Sequence, residues 1–176
     1  QRRRQRQMCI RDRLNILKCA ADAKVRRVVY SASSSAYGDS KTMPLVESMP
    51  VKPLSPYGAQ KYYGEVMCNV FSHIYNIQTV CLRYFNVYGE RQNLDGAYAL
   101  VIGVFASQLL SGKPMTIRGD GEQRRDFTYV GDVVNANILA SISKNVGNGE
   151  VINIGNGDNR SICLLYTSPS PRDTEV

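Results

Sequence analysis

A tyrosine and a lysine stand four residues apart in Ser55-Pro56-Tyr57-Gly58-Ala59-Gln60-Lys61. On a helix, residues at i and i+4 lie one above the other on the same face. Ser55 suits the N-cap, and Pro56 suits the first helical position, where its missing N–H costs nothing. Tyr57 and Lys61 would then project from the first turn and a half, where the helix dipole is positive. A free phenol is a poor base at neutral pH, but nearby positive charge favours its ionised form, so such a pair can take and return a proton. The spacing alone does not decide the matter. With eleven Tyr and seven Lys in 176 residues, composition alone supplies about 0.4 such pairs. An exposed helix start carrying two amphipathic side chains fits it equally well.

The elements that must hold the pair alternate along the chain. Leu14, Leu17, Ala20 and Ala21 share one helical face, which the charged turn Lys24–Arg27 ends. Val28–Ser33 reads as a short apolar strand of the kind buried in a parallel sheet, running into Ser33-Ser34-Ser35-Ala36-Tyr37-Gly38. Asp39–Pro56 holds four prolines and reads as a long functional loop. A helix from about Pro56 to Tyr75 has apolar residues at 66, 67, 70, 71 and 74, and Gln78–Tyr84 is a strand ending in Phe85-Asn86. The pattern further predicts a helix at about Ala97–Ser111, a strand at Met115–Arg118 and a strand at Asp126–Val130. A helix opening at Gly131-Asp132 and a last strand at Val151–Ile154 follow. Alternating strands and helices predict an α/β domain with a mainly parallel sheet. In open sheets of that class ligands sit beyond the C-terminal strand ends, where Ser33 and Phe85-Asn86 both fall.

Composition narrows the function classes. No stretch approaches the ~18 consecutive apolar residues of a membrane span. The five Cys are irregularly spaced with one left over, which suggests free thiols in a reducing, cytoplasmic setting. His73 is the only histidine, which argues against a metal site built on imidazoles. The net charge of +7 is uneven: residues 1–13 hold six Arg against one Asp, and residues 163–176 are net negative. The body carries only about +3 with no basic stripe, so nucleic-acid binding loses its main support.

Four motifs in order complete the picture: the Ser33–Gly38 run, Tyr57 with Lys61, Leu82-Arg83-Tyr84-Phe85-Asn86-Val87-Tyr88-Gly89, and Arg125-Asp126-Phe127-Thr128-Tyr129-Val130. Together they resemble the extended short-chain dehydrogenase/reductase family, and within it the NAD-dependent sugar-nucleotide 4-epimerases. The resemblance runs from about Leu14 to Ile162. It implies a partial Rossmann-like, doubly wound parallel sheet lacking its N-terminal glycine-loop half, plus part of a smaller substrate-binding region. It implies NAD as cofactor, a UDP-sugar as substrate and a homodimer for the intact parent. It makes Tyr57 the general base at the sugar 4-hydroxyl. Lys61 becomes the positive charge and the donor to the nicotinamide ribose, and Ser33 a donor or acceptor at the same hydroxyl, relaying the proton and placing the substrate. Ser31, Ala32, Tyr84 and Phe85 join them as cofactor contacts. Ser34, Asn86 and Arg125 become substrate contacts, the last two at the diphosphate, with Thr116, Ile117 and Arg118 at the uracil.

Departures from that pattern carry information too. Related dehydratases place acidic residues where this chain has Ser34 and Ser35, which favours epimerisation over dehydration or decarboxylation. A non-catalytic NAD-binding relative is the other alternative. No glycine-rich phosphate-cradling turn precedes Leu14. Residues 1–13 read as an arm, and 1–13 and 163–176 match nothing in the family and are expected to be foreign to the natural protein. The isolated chain is then expected to bind NAD poorly and to be inactive alone.

Overall fold

The computed structural model describes residues 2–92, 100–117 and 119–167. In chain order the elements are α1 (Arg2–Asp22), β1 (Arg27–Ser33), a 3-10 turn (Ser34–Tyr37), α2 (Pro56–Tyr75), β2 (Gln78–Tyr84) and β3 (Asn86–Tyr88). They continue with α3 (Val101–Leu110), β4 (Arg124–Tyr129), α4 (Val130–Ile142), β5 (Asn148–Ile154), β6 (Asn159–Ser161) and α5 (Ile162–Thr167). The chain divides into two units, one of residues up to Phe85 with Asp132–Ile154, the other of Asn86–Gly131 with the residues from Gly155 onward.

The first unit is the expected parallel sheet, in the order β1-β2-β5. Its central strand β2 is buried from Thr79 to Arg83, as a strand covered on both faces must be. Alternation sends its side chains two ways. Cys81 meets Leu17 of α1 and Cys68 and Phe71 of α2 on one face, joined by Ala32 of β1. Val80 and Leu82 meet Ala140 of α4 on the other, with Val29 and Ile152. Helices on both faces make the sheet doubly wound. In register, Ser33, Tyr84 and Ile154 lie side by side, so all three strands end together.

Helix α1 corrects the arm expected at 1–13: it runs from Arg2 without a break. That segment lacks an apolar stripe, but Arg, Gln and Met are good helix formers and no Gly or Pro interrupts them. The helix ends at Asp22, where Val25 N–H reaches Ala20 O at 2.9 Å and Lys24 N–H reaches Ala21 O at 3.0 Å, with Lys24 left-handed at φ 53°. No helix among the described residues is long and apolar enough to cross a membrane.

The second unit pairs β3 with β4 in parallel and β4 with β6 antiparallel. Strands β3 and β6 are three residues each, too short for a period to announce them. Of the strand expected at Met115–Arg118, residues 115–117 form no strand and Arg118 lies outside the described residues. The Thr116 N–H is taken by Gln108 Oε1 of α3 at 3.1 Å, and Gln108 Nε2 donates to Thr116 Oγ1 at 3.3 Å. Side-chain pairing of that kind replaces a ladder. Of the helix expected at 97–111, residues 97–99 lie outside the described residues, Val101–Leu110 form α3, and Leu100 and Ser111 cap it.

The start of β5 is held by a carboxylate. Glu150 Oε2 accepts the N–H groups of Gly147 and Asn148, each at 2.8 Å. Burial alone would raise its pKa, but the N–H groups of Gly147, Glu150 itself and Asn148 hold it below the ordinary value. A depressed carboxylate stabilises the fold above its unfolded pKa, near 4.5, and that stabilisation is lost as pH falls through the lower folded value. Glu150→Gln is therefore expected to lower the urea midpoint at neutral pH. The gap to the parent chain should close as pH falls below about 4.5, and a constant gap down to pH 2 would contradict the assignment.

Candidate active site

The start of α2 forms as its sequence dictates. Ser55 is extended at φ −133° and its Oγ accepts the Gly58 N–H at 3.0 Å, with Pro56 in the first turn. Two glycines then let the helix lie against β1 and the turn that follows it. A Cβ at Gly58 would sit 2.7 Å from the Ser35 carbonyl oxygen, and one at Gly64 would collide with the phenol of Tyr30. The first turn of α2 thus rests directly on the serine turn.

Tyr57 and Lys61 both leave that first stretch of helix. Tyr57 is half exposed, at 49%, and the Lys61 Nζ lies 5.7 Å from its ring centroid. Lys61 Nζ donates to Ser31 O at 2.8 Å. Burial first, and the Arg13 guanidinium second, lower the Lys61 pKa from its ordinary value. An ammonium has three N–H groups, so with one on Ser31 two are left to grip a diol. Tyr30 also lies 5.8 Å from Lys61, but it is a support and not a base. Burial pushes its pKa up to about 12, partly offset by Arg13, and its Oη donates to Lys61 O at 3.4 Å.

The remaining residues of this unit cluster at the strand ends. Ser33 caps the 3-10 turn, its Oγ accepting from Ser35 N at 3.2 Å and from Ser35 Oγ at 2.9 Å. Ser31 Oγ lies 3.2 Å from Tyr84 Oη, which also bonds the Asn137 amide at 2.8 and 3.0 Å. Phe85 N–H donates to Ile154 O at 3.2 Å. Ser34 follows in the turn, half-buried. Ala32 turns its methyl into the core, so only its backbone can face a ligand.

Asn86, Thr116, Ile117 and Arg125 belong to the second unit. Asn86 Nδ2 donates to Asp126 O at 3.0 Å and Arg125 Nη1 to Arg124 O at 2.9 Å, leaving Arg125 exposed. Thr116 is tied to Gln108, Ile117 sits beside Gly121, and Arg118 lies outside the described residues. The Asp126 carboxylate accepts the Asn156 and Gly157 N–H groups at 2.8 Å each. No group of His, Cys, Asp and Glu among the described residues could hold a metal ion. An apolar hollow of about 250 Å³ between α4 and the sheet, lined by Leu82, Leu139 and Ile152, offers no titratable side chain and is a packing feature.

The sequence profile of the NAD dependent epimerase/dehydratase family matches residues 9–155. The chain belongs to that family. A putative UDP-glucose 4-epimerase of Methanocaldococcus jannaschii is 42% identical over 154 residues, covering 87% of this chain and 49% of that protein. The UDP-N-acetylglucosamine 4-epimerase of Methanobrevibacter ruminantium, solved with UDP-N-acetylmuramic acid, superposes with a TM-score of 0.84 at 40% identity. It covers 88% of this chain and 49% of its own. The UDP-glucuronic acid 4-epimerase of Bacillus cereus, solved with UDP-glucuronic acid and NAD, gives 0.79 at 38% identity, with 88% and 48% covered. The chain thus spans about half the length of the curated relatives it matches.

Two contacts of this epimerase/dehydratase chain escaped the sequence. One is the bonding of Ser35 to Ser33, since the residue types mark Ser35 only as a non-acidic position of the turn. The other is the buried ion pair of Glu65 with Arg83, both 3% exposed, at 3.0 Å (Nε–Oε1) and 2.7 Å (Nη2–Oε2). Its signal was Glu65 standing four residues beyond Lys61 on the same helix. The Arg83 guanidinium lies 4.5 Å from the Tyr37 ring, and Tyr37 Oη donates to Asn153 Oδ1 at 2.8 Å. Burial alone would lower the Arg83 pKa, but its hydrogen bonds to Glu65, and then the neighbouring Tyr37, reverse the effect and raise it. Breaking one side of such a pair strands a buried charge. Glu65→Gln is expected to cost about 3–5 kcal/mol in urea unfolding, while joint Glu65→Met and Arg83→Met recovers most of it. A Glu65→Gln loss below about 1 kcal/mol would show that the pair is not desolvated.

Proposed function

We propose that the full-length protein carrying this chain is an NAD-dependent 4-epimerase of a UDP-sugar, working through a transient 4-keto sugar. The observation that carries the reading is Tyr57 and Lys61 on the first turns of α2, seated on a serine turn whose leading Ser33 ends β1. Tyr57 takes the proton from the sugar 4-hydroxyl and later returns it. Lys61 lends positive charge beside that phenol and holds the nicotinamide ribose with its two remaining N–H groups. Ser33 hydrogen-bonds the reacting hydroxyl. NAD, when bound, supplies the acceptor and then the donor of the C4 hydride. Ser31, Ala32, Tyr84 and Phe85 line the nicotinamide end, and Ser34 borders the sugar. Asn86 and Arg125 bind the diphosphate, a task suited to the planar guanidinium, and Thr116, Ile117 and Arg118 hold the uracil.

Serines at 34 and 35 support epimerisation over its relatives' chemistry. Expelling water from a keto sugar needs an acid for the leaving group and a base for the neighbouring C–H, and neither serine supplies one. The full-length protein is expected to interconvert UDP-galactose or UDP-N-acetylgalactosamine with its 4-epimer in a coupled assay. Tyr57→Phe should lower kcat by about 10²–10⁴-fold. A 4-keto-6-deoxy product or released CO2 would replace this reading by the dehydratase or decarboxylase one. NAD binding without turnover of any UDP-sugar would favour the non-catalytic alternative.

A homodimer is part of the same proposal. Tyr62, Val66, Val70 and Ile74 form a stripe along α2 exposed at 36, 40, 37 and 69%, at the i, i+4 spacing that one helix offers another. Val70→Glu on that stripe is expected to shift the full-length protein from dimer to monomer by light scattering. An unchanged mass would remove α2 from the interface.

A further inference from the structure

We propose that Ser35 is a positioning residue that fixes the direction of the Ser33 hydroxyl, making Ser33 a hydrogen-bond donor to the reacting oxygens and not a proton relay. The inference rests on the epimerase reading for its catalytic consequence, but its structural content stands on this chain alone. A serine hydroxyl carries one donor and two acceptor lone pairs. Both acceptor positions of Ser33 Oγ are used by one residue: the Ser35 N–H at 3.2 Å and the Ser35 O–H at 2.9 Å. The Ser33 proton is then the only valence left, and it must point away from Ser35.

The backbone of Ser35 is itself held in place. Its carbonyl accepts the Gly38 N–H at 3.4 Å and abuts the backbone of Gly58 in the first turn of α2. The neighbours on either side of the turn, Ala32 and Ala36, are buried at 2% and 0%. The turn that orients Ser33 is therefore clamped by the helix that carries Tyr57. A hydroxyl relay must accept a proton on one side while passing its own on the other. With both lone pairs engaged, Ser33 cannot accept without breaking a bond to Ser35. It donates instead, to the sugar oxygen or the ionised phenol, and stabilises negative charge at whichever bears it.

Two measurements test this, one of them independent of turnover. Neutron crystallography of the deuterated full-length protein is expected to place the Ser35 hydroxyl deuterium on Ser33 Oγ and the Ser33 deuterium away from Ser35. The reverse arrangement overturns the proposal whether or not the protein is an epimerase. In the enzyme, Ser35→Ala frees one lone pair of Ser33. It is expected to lower kcat about tenfold with KM changed less than twofold, and to move the basic-form limb of the kcat/KM pH profile upward, while Ser35→Thr, which keeps the hydroxyl, restores both. A Ser35→Ala enzyme with kcat and pH profile within twofold of the parent, or Ser35→Thr as impaired as Ser35→Ala, overturns the positioning role. So does a loss of melting temperature in Ser35→Ala with an unmoved pH profile, since that marks a purely structural residue. A wild-type protein that turns over no UDP-sugar sinks the epimerase reading and leaves the neutron result to decide this one.

Discussion

The contact on which the site depends is the one between the first turns of α2 and the end of β1, and it exists because two side chains are missing. Gly58 lets the helix sit on the Ser35 carbonyl, and Gly64 makes room for the Tyr30 phenol beneath the next turns. A helix held further off could not bring Lys61 Nζ to Ser31 O at 2.8 Å. Glycine inside a helix costs roughly 1 kcal/mol relative to alanine, so two of them within seven residues weaken α2 locally. The Ser55 cap and Pro56 offset part of that at the helix start. Local propensity is given up where the geometry of the site requires it.

Close approach alone would let the helix slide. Polar groups buried between α2 and β2 prevent it. Thr79 Oγ1 donates to Cys68 O at 2.9 Å, and Arg83 meets Glu65 through two hydrogen bonds. Each partner is satisfied only in one register, and a slip of one residue would leave a buried charge alone. The Arg83 Nη1 is buried without a hydrogen-bond partner among the described residues. Through Tyr37 and Asn153 the same network reaches the loop before α2, where Glu47 Oε1 accepts Asn153 N–H and Leu45 O accepts Asn153 Nδ2. Helix α2, the serine turn, the loop and β5 are thus joined by one chain of contacts.

What the sequence made legible follows the same division. The parallel core was readable because β1, β2 and β5 carry apolar runs and α2 carries both a cap and a period. The places of Tyr57, Lys61 and Ser33, at the start of α2 and the end of β1, were readable because residue type, order and element ends coincided. Strands β3 and β6 were not, since three residues hold no period and their pairing is set by β4. The strand expected at Met115–Arg118 looked plausible from its residues, yet the Thr116 N–H went to a glutamine side chain that no pattern announces. Nothing in the helical pattern of α2 announced that Glu65 is buried. Its burial is decided by Arg83, eighteen positions away and pointing inward from β2.

The choice of serine at position 35 connects this geometry to the kind of reaction the turn can serve. A hydroxyl there donates to Ser33 and leaves the Ser33 proton for the site. An ionised carboxylate at the same place has no proton to give and only accepts. Ser33 would then turn its O–H inward to meet that charge, because a hydrogen bond to an ionised acceptor is stronger than one between neutral groups. Its lone pairs, no longer its proton, would face the substrate. The residue two places after Ser33 therefore sets the polarity of the bond that Ser33 offers. An acid at that position would bring a proton-transfer group and withdraw the fixed donor in one substitution. That is the physical sense in which a serine turn suits a reaction that only removes and restores hydrogen at one carbon, and an acidic turn suits one that must also expel a leaving group.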